Sequence, residues 1–192
     1  MVDNTAFSAQ VASTARVRFE LSKEFQLRVP ITYSHSKQLA HFLQKHKEEF
    51  YCLHSDINDM SCSKVTHTLK AGEVYTIRLF SVREPITSDD CLAFMKSQGA
   101  LFVGAQGISL VWQMAKTKLP MDKRLISFDE AEKLWKDQFG NPSLPFMYQH
   151  TADLWQFSLQ SFYDRLYYRH VLICFSNPRT SVFGKNLDTV AH

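Results

Sequence analysis

The chain has 192 residues, of which 45% are hydrophobic and 21% charged, with a formal net charge of +3; this composition suits a soluble folded domain with room for a sizeable core. No window approaches the roughly 20 apolar residues that span a bilayer, and basic residues alternate with acids instead of gathering into the dense face of a nucleic-acid binder. Cys52, Cys62, Cys91 and Cys174 stand far apart, without metal-ribbon spacing or the density of a disulfide scaffold, so reduced thiols and a cytoplasmic location are expected.

Residues 1–15 have neither the basic nor the apolar region of a signal peptide and are expected as a disordered arm ahead of one α+β domain over 16–176. From Val17 to Tyr33 the odd positions are apolar except Lys23, and the even ones from Arg16 to Arg28 are polar, the period of a strand with one face on the core. The pattern predicts two antiparallel strands turning at Ser22-Lys23, or one bent strand. Ser36 is placed to cap a helix over 37–53, because Leu39, Phe42, Leu43, Phe50 and Leu53 make an apolar stripe at helical spacing. A polar loop over 54–59 follows, then a candidate strand over 64–69, a turn at Gly72 and a β-rich run over 74–82, the two strands forming a possible hairpin.

Thr87-Ser88-Asp89-Asp90 is the best helix start in the chain, with hydroxyl caps followed by acids in the first turn; the helix should run to about Gln98 and stop at Gly99. A second helix follows Gly104-Ala105-Gln106-Gly107 and carries Ile108, Val111, Trp112 and Ala115 on one side, ending before Pro120. Residues 125–128 read as a buried strand, and Ala131, Leu134 and Trp135 as one short helical turn stopped at Gly140-Asn141-Pro142. Residues 144–148 read as a strand in which Pro145 marks an edge or strand-entry position. Trp155, Phe157 and Leu159 alternate with Gln156, Ser158 and Gln160, predicting a half-buried strand whose polar face meets water. The unbroken apolar run 171–175, bounded by Arg169-His170, is expected at the centre of the sheet. The tail over 177–192 shows little pattern. Together these elements predict an α+β fold: a mixed, mostly antiparallel sheet with two to three helices packed on it.

Several residue groups carry possible chemistry. Gly104 to Gly107 before a helix could cradle an anion, although the remaining phosphate-loop residues are missing, and a packing turn is the plainer account. Cys52, His54, Asp56 and Asp59 cluster at a helix–loop boundary, where a thiol nucleophile with a nearby His is conceivable. Asp129, Glu130 and Glu132 offer carboxylates at a strand end, with turn capping as the simpler role. Asp137 reads as an Asx turn. No catalytic set or metal site is assigned, and no cofactor. Trp135, Tyr148, Trp155, Tyr163 and Tyr167 are the candidate binding residues, because flat rings supply contact area at low entropic cost.

Residues 125–129, Leu134, Trp135, Asp137, Gly140, 144–146, 155–159, Phe162 and 169–175 resemble the pattern of small uncharacterised bacterial proteins. The order of capped helix, second helix, turn, aromatic strands and closing strand is also similar to the C-type-lectin-like fold. That resemblance implies a closing strand and buried tryptophans. The calcium motifs and disulfides of that family are absent from this sequence, so calcium-dependent sugar binding is not implied.

The leading expectation is a non-enzymatic binding module with a protein or peptide partner. The alternatives are a small hydrolase-like enzyme using Asp129, Glu130 or the Cys52/His54 region, and a nucleic-acid-associated protein using Arg16, Arg18 and Arg28.

Overall fold

The structure, a computed structural model, describes residues 18–151 and 154–177. The arm expected over 1–15 and all but Asn177 of the expected tail lie outside these residues. Eight strands form one open sheet: β1 (Phe19–Arg28), β2 (Phe50–Leu53), β3 (Val74–Val82), β4 (Arg124–Ser127), β5 (Trp135–Lys136), β6 (Pro142–Gln149), β7 (Trp155–Ser161) and β8 (His170–Ser176). Their order is β1-β3-β8-β4-β6-β7-β2, with β5 added to β6. β4 and β8 run parallel, as do β2 and β7, and every other pair is antiparallel. Among the described residues there are three α-helices: α1 (Gln38–His46), α2 (Ser88–Ser97) and α3 (Gly104–Ala115). The fold is α+β with a mixed, mostly antiparallel sheet, as the patterning predicts.

The sheet separates two apolar layers. On one face, Leu39 and Phe42 of α1 and Ile108, Val111 and Trp112 of α3 pack against Ile77, Leu125, Trp155, Phe157, Val171 and Phe175. Phe42 and Trp112 meet edge-on at 5.3 Å, and Trp112 meets Trp155 edge-on at 5.8 Å, the geometry that ring quadrupoles favour. On the other face, Cys91, Leu92 and Met95 of α2 cover Phe80, Val82, Leu172 and Cys174. Removing each large apolar side chain from water contributes about 1.5–3 kcal/mol, so both layers add to stability. β8 lies between β3 and β4 and is buried along its whole length, which explains its continuous apolar run.

Several local expectations are corrected. Of the two arrangements expected for the odd–even stretch, the single strand is the one formed and the hairpin is not, and the register advances by a residue between Leu21 and Lys23. Ser22 is the extra residue, and its hydroxyl donates to the Leu79 carbonyl at 2.9 Å; a bulge suits a site that lacks the Gly or Asn of a tight turn. The helix expected over 37–53 ends at His46, passes through a 3-10 turn, and gives way to β2. Phe50 is therefore a strand residue, packed against the rings of Phe42, Trp112 and Phe157. Ser36 does not cap the helix; Asp59 does, as its carboxylate accepts from the Leu39 and Ala40 amides, each at 2.9 Å.

Residues 64–69 form no strand, and β3 pairs instead with β1 and β8. The turn after Asp129 leads into β5, so Trp135 is a strand residue. β6 is interior, not an edge. Along one side its partner changes from β5, opposite Pro142 and Ser143, to β4, opposite Phe146 to Tyr148, and Pro145 falls in the gap where no ladder bond requires its missing N–H. Ser158 and Gln160 of β7 are buried instead of wet.

Candidate functional site

Parallel pairing of β4 with β8 puts the first residues of the two strands side by side. Arg124 is in register with His170, and on its other side with Tyr148 of β6, which is in register with Gln156 of β7. Residues in register share a face, so His170, Arg124, Tyr148 and Gln156 make a row across four strands at one end of the sheet. A hollow of about 470 Å³ opens there, lined by Arg124, Tyr148, Tyr167, Tyr168, Arg169 and His170.

The connection from β7 to β8 supplies the outer wall. Leu166 is fully buried and exchanges two backbone hydrogen bonds with Ile86, at 2.9 and 2.8 Å, which anchors the middle of the connection. The flanking Tyr163, Tyr167 and Tyr168 stay at the surface. Lys123 donates to the Tyr168 carbonyl at 3.2 Å, and the Arg124 amide donates to the Arg169 carbonyl at 2.7 Å, so this wall is tied to the start of β4.

Arg124 is fixed before any ligand arrives. Its guanidinium carbon sits 4.4 Å from the centre of the Phe146 ring, and Nη1 donates to Gln160 Oε1 at 3.3 Å. This accounts for the burial of Gln160, since a cation on an aromatic face with one N–H satisfied is tolerated away from bulk water. The Tyr167 amide donates to His170 Nδ1 at 2.8 Å, closer than the 3.2 Å separating that nitrogen from the Tyr167 carbonyl. Nδ1 is thus the acceptor and the ring proton sits on Nε2. Burial pushes the His170 imidazolium below its usual range, so the ring is neutral near pH 7. Among the described residues no carboxylate lines the hollow, although the charge of nearby Asp164 acts on His170.

Of the five ring residues expected to bind, Tyr148 and Tyr167 meet in this hollow. Tyr163 is nearby and 70% exposed, its ring edge-on to Phe162 at 6.0 Å. Trp155 is only 1% exposed and belongs to the core. Trp135 lies apart, half-buried beside His54. Arg124, Arg169 and His170 are the residues that pattern alone did not single out. Their signal was two basic pairs, Lys123-Arg124 and Arg169-His170, each directly ahead of a buried strand.

The groups suggestive of catalysis are engaged structurally. The Asp129 carboxylate is buried at the end of β4, where Oδ1 accepts from the Thr66 amide at 3.0 Å, the Glu130 amide at 2.8 Å and the Thr66 hydroxyl. Burial raises its carboxyl to about 6, outweighing those donors and nearby His67. Its Oδ2 stands 3.4 Å from where a Cβ on Gly104, the first residue of α3, would lie, so a carboxylate faces the start of this helix. Glu130 pairs with Lys96 at 3.1 Å. Cys52 Sγ accepts from Gln156 Nε2 at 3.9 Å, and His54 Nδ1 accepts from the Asp56 amide at 3.2 Å, so each is committed to another group. Asp137 makes the expected Asx turn, accepting from Phe139 and Asn141.

Of the arginines considered for nucleic acid, Arg18 pairs with Glu84 and Asp90, and Arg28 donates to the Gly72 carbonyl; Arg16 lies outside the described residues. No group of three metal-ligating side chains occurs among the described residues, and no described helix is long and apolar enough to cross a membrane.

No family model matches the chain, and comparison with curated proteins and with solved structures returns no similar protein.

Proposed function

We propose that the protein is a non-enzymatic binding module that holds an acidic segment of a partner protein in the hollow at the ends of β4, β6 and β8. The observation that carries this is the fixed Arg124 guanidinium, seated on Phe146 and steadied by Gln160, in a site whose charged side chains are both arginines and whose remaining walls are three tyrosines and a histidine. Immobilising Arg124 in advance lowers the ordering cost of binding. Tyrosine and arginine are the side chains that most often dominate interface energetics, and a hollow of this size suits one anchoring side chain of a peptide. The free thiols of all four cysteines support the cytoplasmic setting proposed with this role.

Fluorescence anisotropy with a labelled peptide of alternating Glu and Tyr tests the proposal. Binding is expected with Kd of roughly 1–100 µM at low salt, weakening as salt rises and lost in the double variant Arg124→Ala, Arg169→Ala. Binding that the double variant retains in full, or no binding at all, sinks it.

A further inference from the structure

We infer that the anchor taken by the Arg124 hollow is a phosphorylated tyrosine of the partner segment; this rests on the peptide-binding role proposed above and adds the chemical identity of the group at its centre.

Three features of the site favour a phosphoryl group over a carboxylate. The first is donor supply. Arg124 spends one nitrogen on Gln160 and keeps the others, Arg169 lines the same hollow, and His170, with Nδ1 occupied by the Tyr167 amide, carries its proton on Nε2. Two guanidiniums and an imidazole N–H exceed what the two oxygens of one carboxylate require. They match the three acceptor oxygens and the charge of −1.5 to −2 of a phosphate monoester.

The second feature is that no carboxylate is found in the lining among the described residues. A group of nearly two negative charges therefore meets two arginines in the wall, while Asp164, whose charge reaches His170, stands outside the lining. The third is size and surface. A hollow of about 470 Å³ is far larger than a phosphate alone, and the remaining wall consists of the rings of Tyr148, Tyr167 and Tyr168. An aromatic ring carrying the phosphate fills that space and meets other rings edge-on or offset, whereas a phosphoserine stem would leave them uncovered. Beyond the hollow, the cross-strand row continues from Tyr148 to Gln156, and Gln156 accepts from the Tyr51 hydroxyl at 3.2 Å. Flanking residues of an extended peptide have polar contacts along this line.

The test is anisotropy with one acidic peptide in four forms, bearing tyrosine, phosphotyrosine, glutamate or phosphoserine at its centre, with adenosine monophosphate and free phosphotyrosine as competitors. The phosphotyrosine form is expected to bind at least about tenfold more tightly than each of the others, the difference of roughly one charge-assisted pair. Arg124→Ala should remove this preference, and Arg124→Lys should not restore it, because an ammonium cannot reproduce a planar two-point contact. Arg169→Ala, at an exposed position, should weaken the phosphotyrosine form most and leave the urea midpoint unchanged, separating lost binding from lost folding. Equal binding of the tyrosine and phosphotyrosine forms overturns the inference while leaving the peptide-binding role in place. So does a glutamate or phosphoserine form that matches phosphotyrosine. Adenosine monophosphate displacing the peptide at lower concentration than free phosphotyrosine overturns it in favour of a nucleotide. If no peptide form binds, both the inference and the role beneath it fail.

Discussion

Asp129 and Thr66 are 63 positions apart in sequence, yet the Thr66 amide and hydroxyl both donate to the Asp129 carboxylate. This pins the strandless segment around residue 66 to the end of β4. The carboxyl is buried, and burial lifts it from 3.8 to about 6. The folded protein therefore keeps the proton over a range where the unfolded chain has released it. The resulting stabilisation is complete below about pH 4 and fades as pH rises through 6, with an upper bound of roughly 3 kcal/mol. Urea unfolding at pH 4.5, 6 and 7.5 should show wild-type stability falling over this window relative to Asp129→Asn. A pH-independent difference between the two proteins would contradict it. Asp129→Ala, which leaves three donors without an acceptor, should cost about 2–4 kcal/mol at pH 4.5 and less as pH rises through 6.

Asp59 substitutes for a local cap at the start of α1, accepting from the Leu39 and Ala40 amides. Asp59→Ala should destabilise the protein by about 1–2 kcal/mol, combining the lost cap and the lost charge at the positive end of the helix. Faster amide hydrogen exchange confined to Leu39, Ala40 and their neighbours is the expected signature. Unchanged exchange at those two amides would show that the carboxylate is dispensable.

Gly107 of α3 packs against Phe175 of β8. A Cβ added there would meet Val103 Cγ2 at 2.2 Å and Phe175 Cε2 at 3.1 Å. Gly107→Ala should therefore destabilise by about 1–3 kcal/mol through overpacking, although alanine is ordinarily the better helix former. Thermal melting decides between the two effects, and a rise in Tm would show that Val103 moves aside at no cost.

Leu166 is buried beneath Ile86 and fixes the connection that carries Tyr167 and Tyr168. Leu166→Ala should cost about 2–5 kcal/mol of stability. At a temperature where the variant remains folded, it should also weaken peptide binding, because the rings lose their fixed position. Intact affinity in the folded variant would show that the wall holds itself in place.

Much of the framework was legible in the sequence because local chemistry and tertiary context agree there. Thr87 caps α2 through the Asp90 amide at 3.2 Å, Gly99 takes positive φ just past the end of that helix, and the apolar run of β8 is buried on both faces. The helix expected through Leu53 was misread because Phe50 and Leu53 fall at helical spacing by coincidence, while ring packing around Phe42 and Trp112 draws that segment into the sheet. Pro145 pointed to an edge because sequence cannot show that a strand changes partners along one side. The polar residues of β7 were assigned to water because nothing local reveals that Gln160 will meet Arg124 from 36 positions away. The hollow itself was half legible. Tyr148 and Tyr167 stand out as rings, but Arg124 and His170 become neighbours only through the parallel pairing of β4 with β8, a relationship that no local spacing encodes.

The place of β8 has a consequence for how the chain is made. It is the last described strand in sequence, yet it lies between β3 and β4, so during synthesis the β1–β3 ribbon and the β4–β6–β7 ribbon each wait with a bare inner edge until residues 170–176 leave the ribosome. Translation stopped short of His170 would release two unjoined ribbons with open backbone donors and acceptors, a template for sticking to other nascent chains.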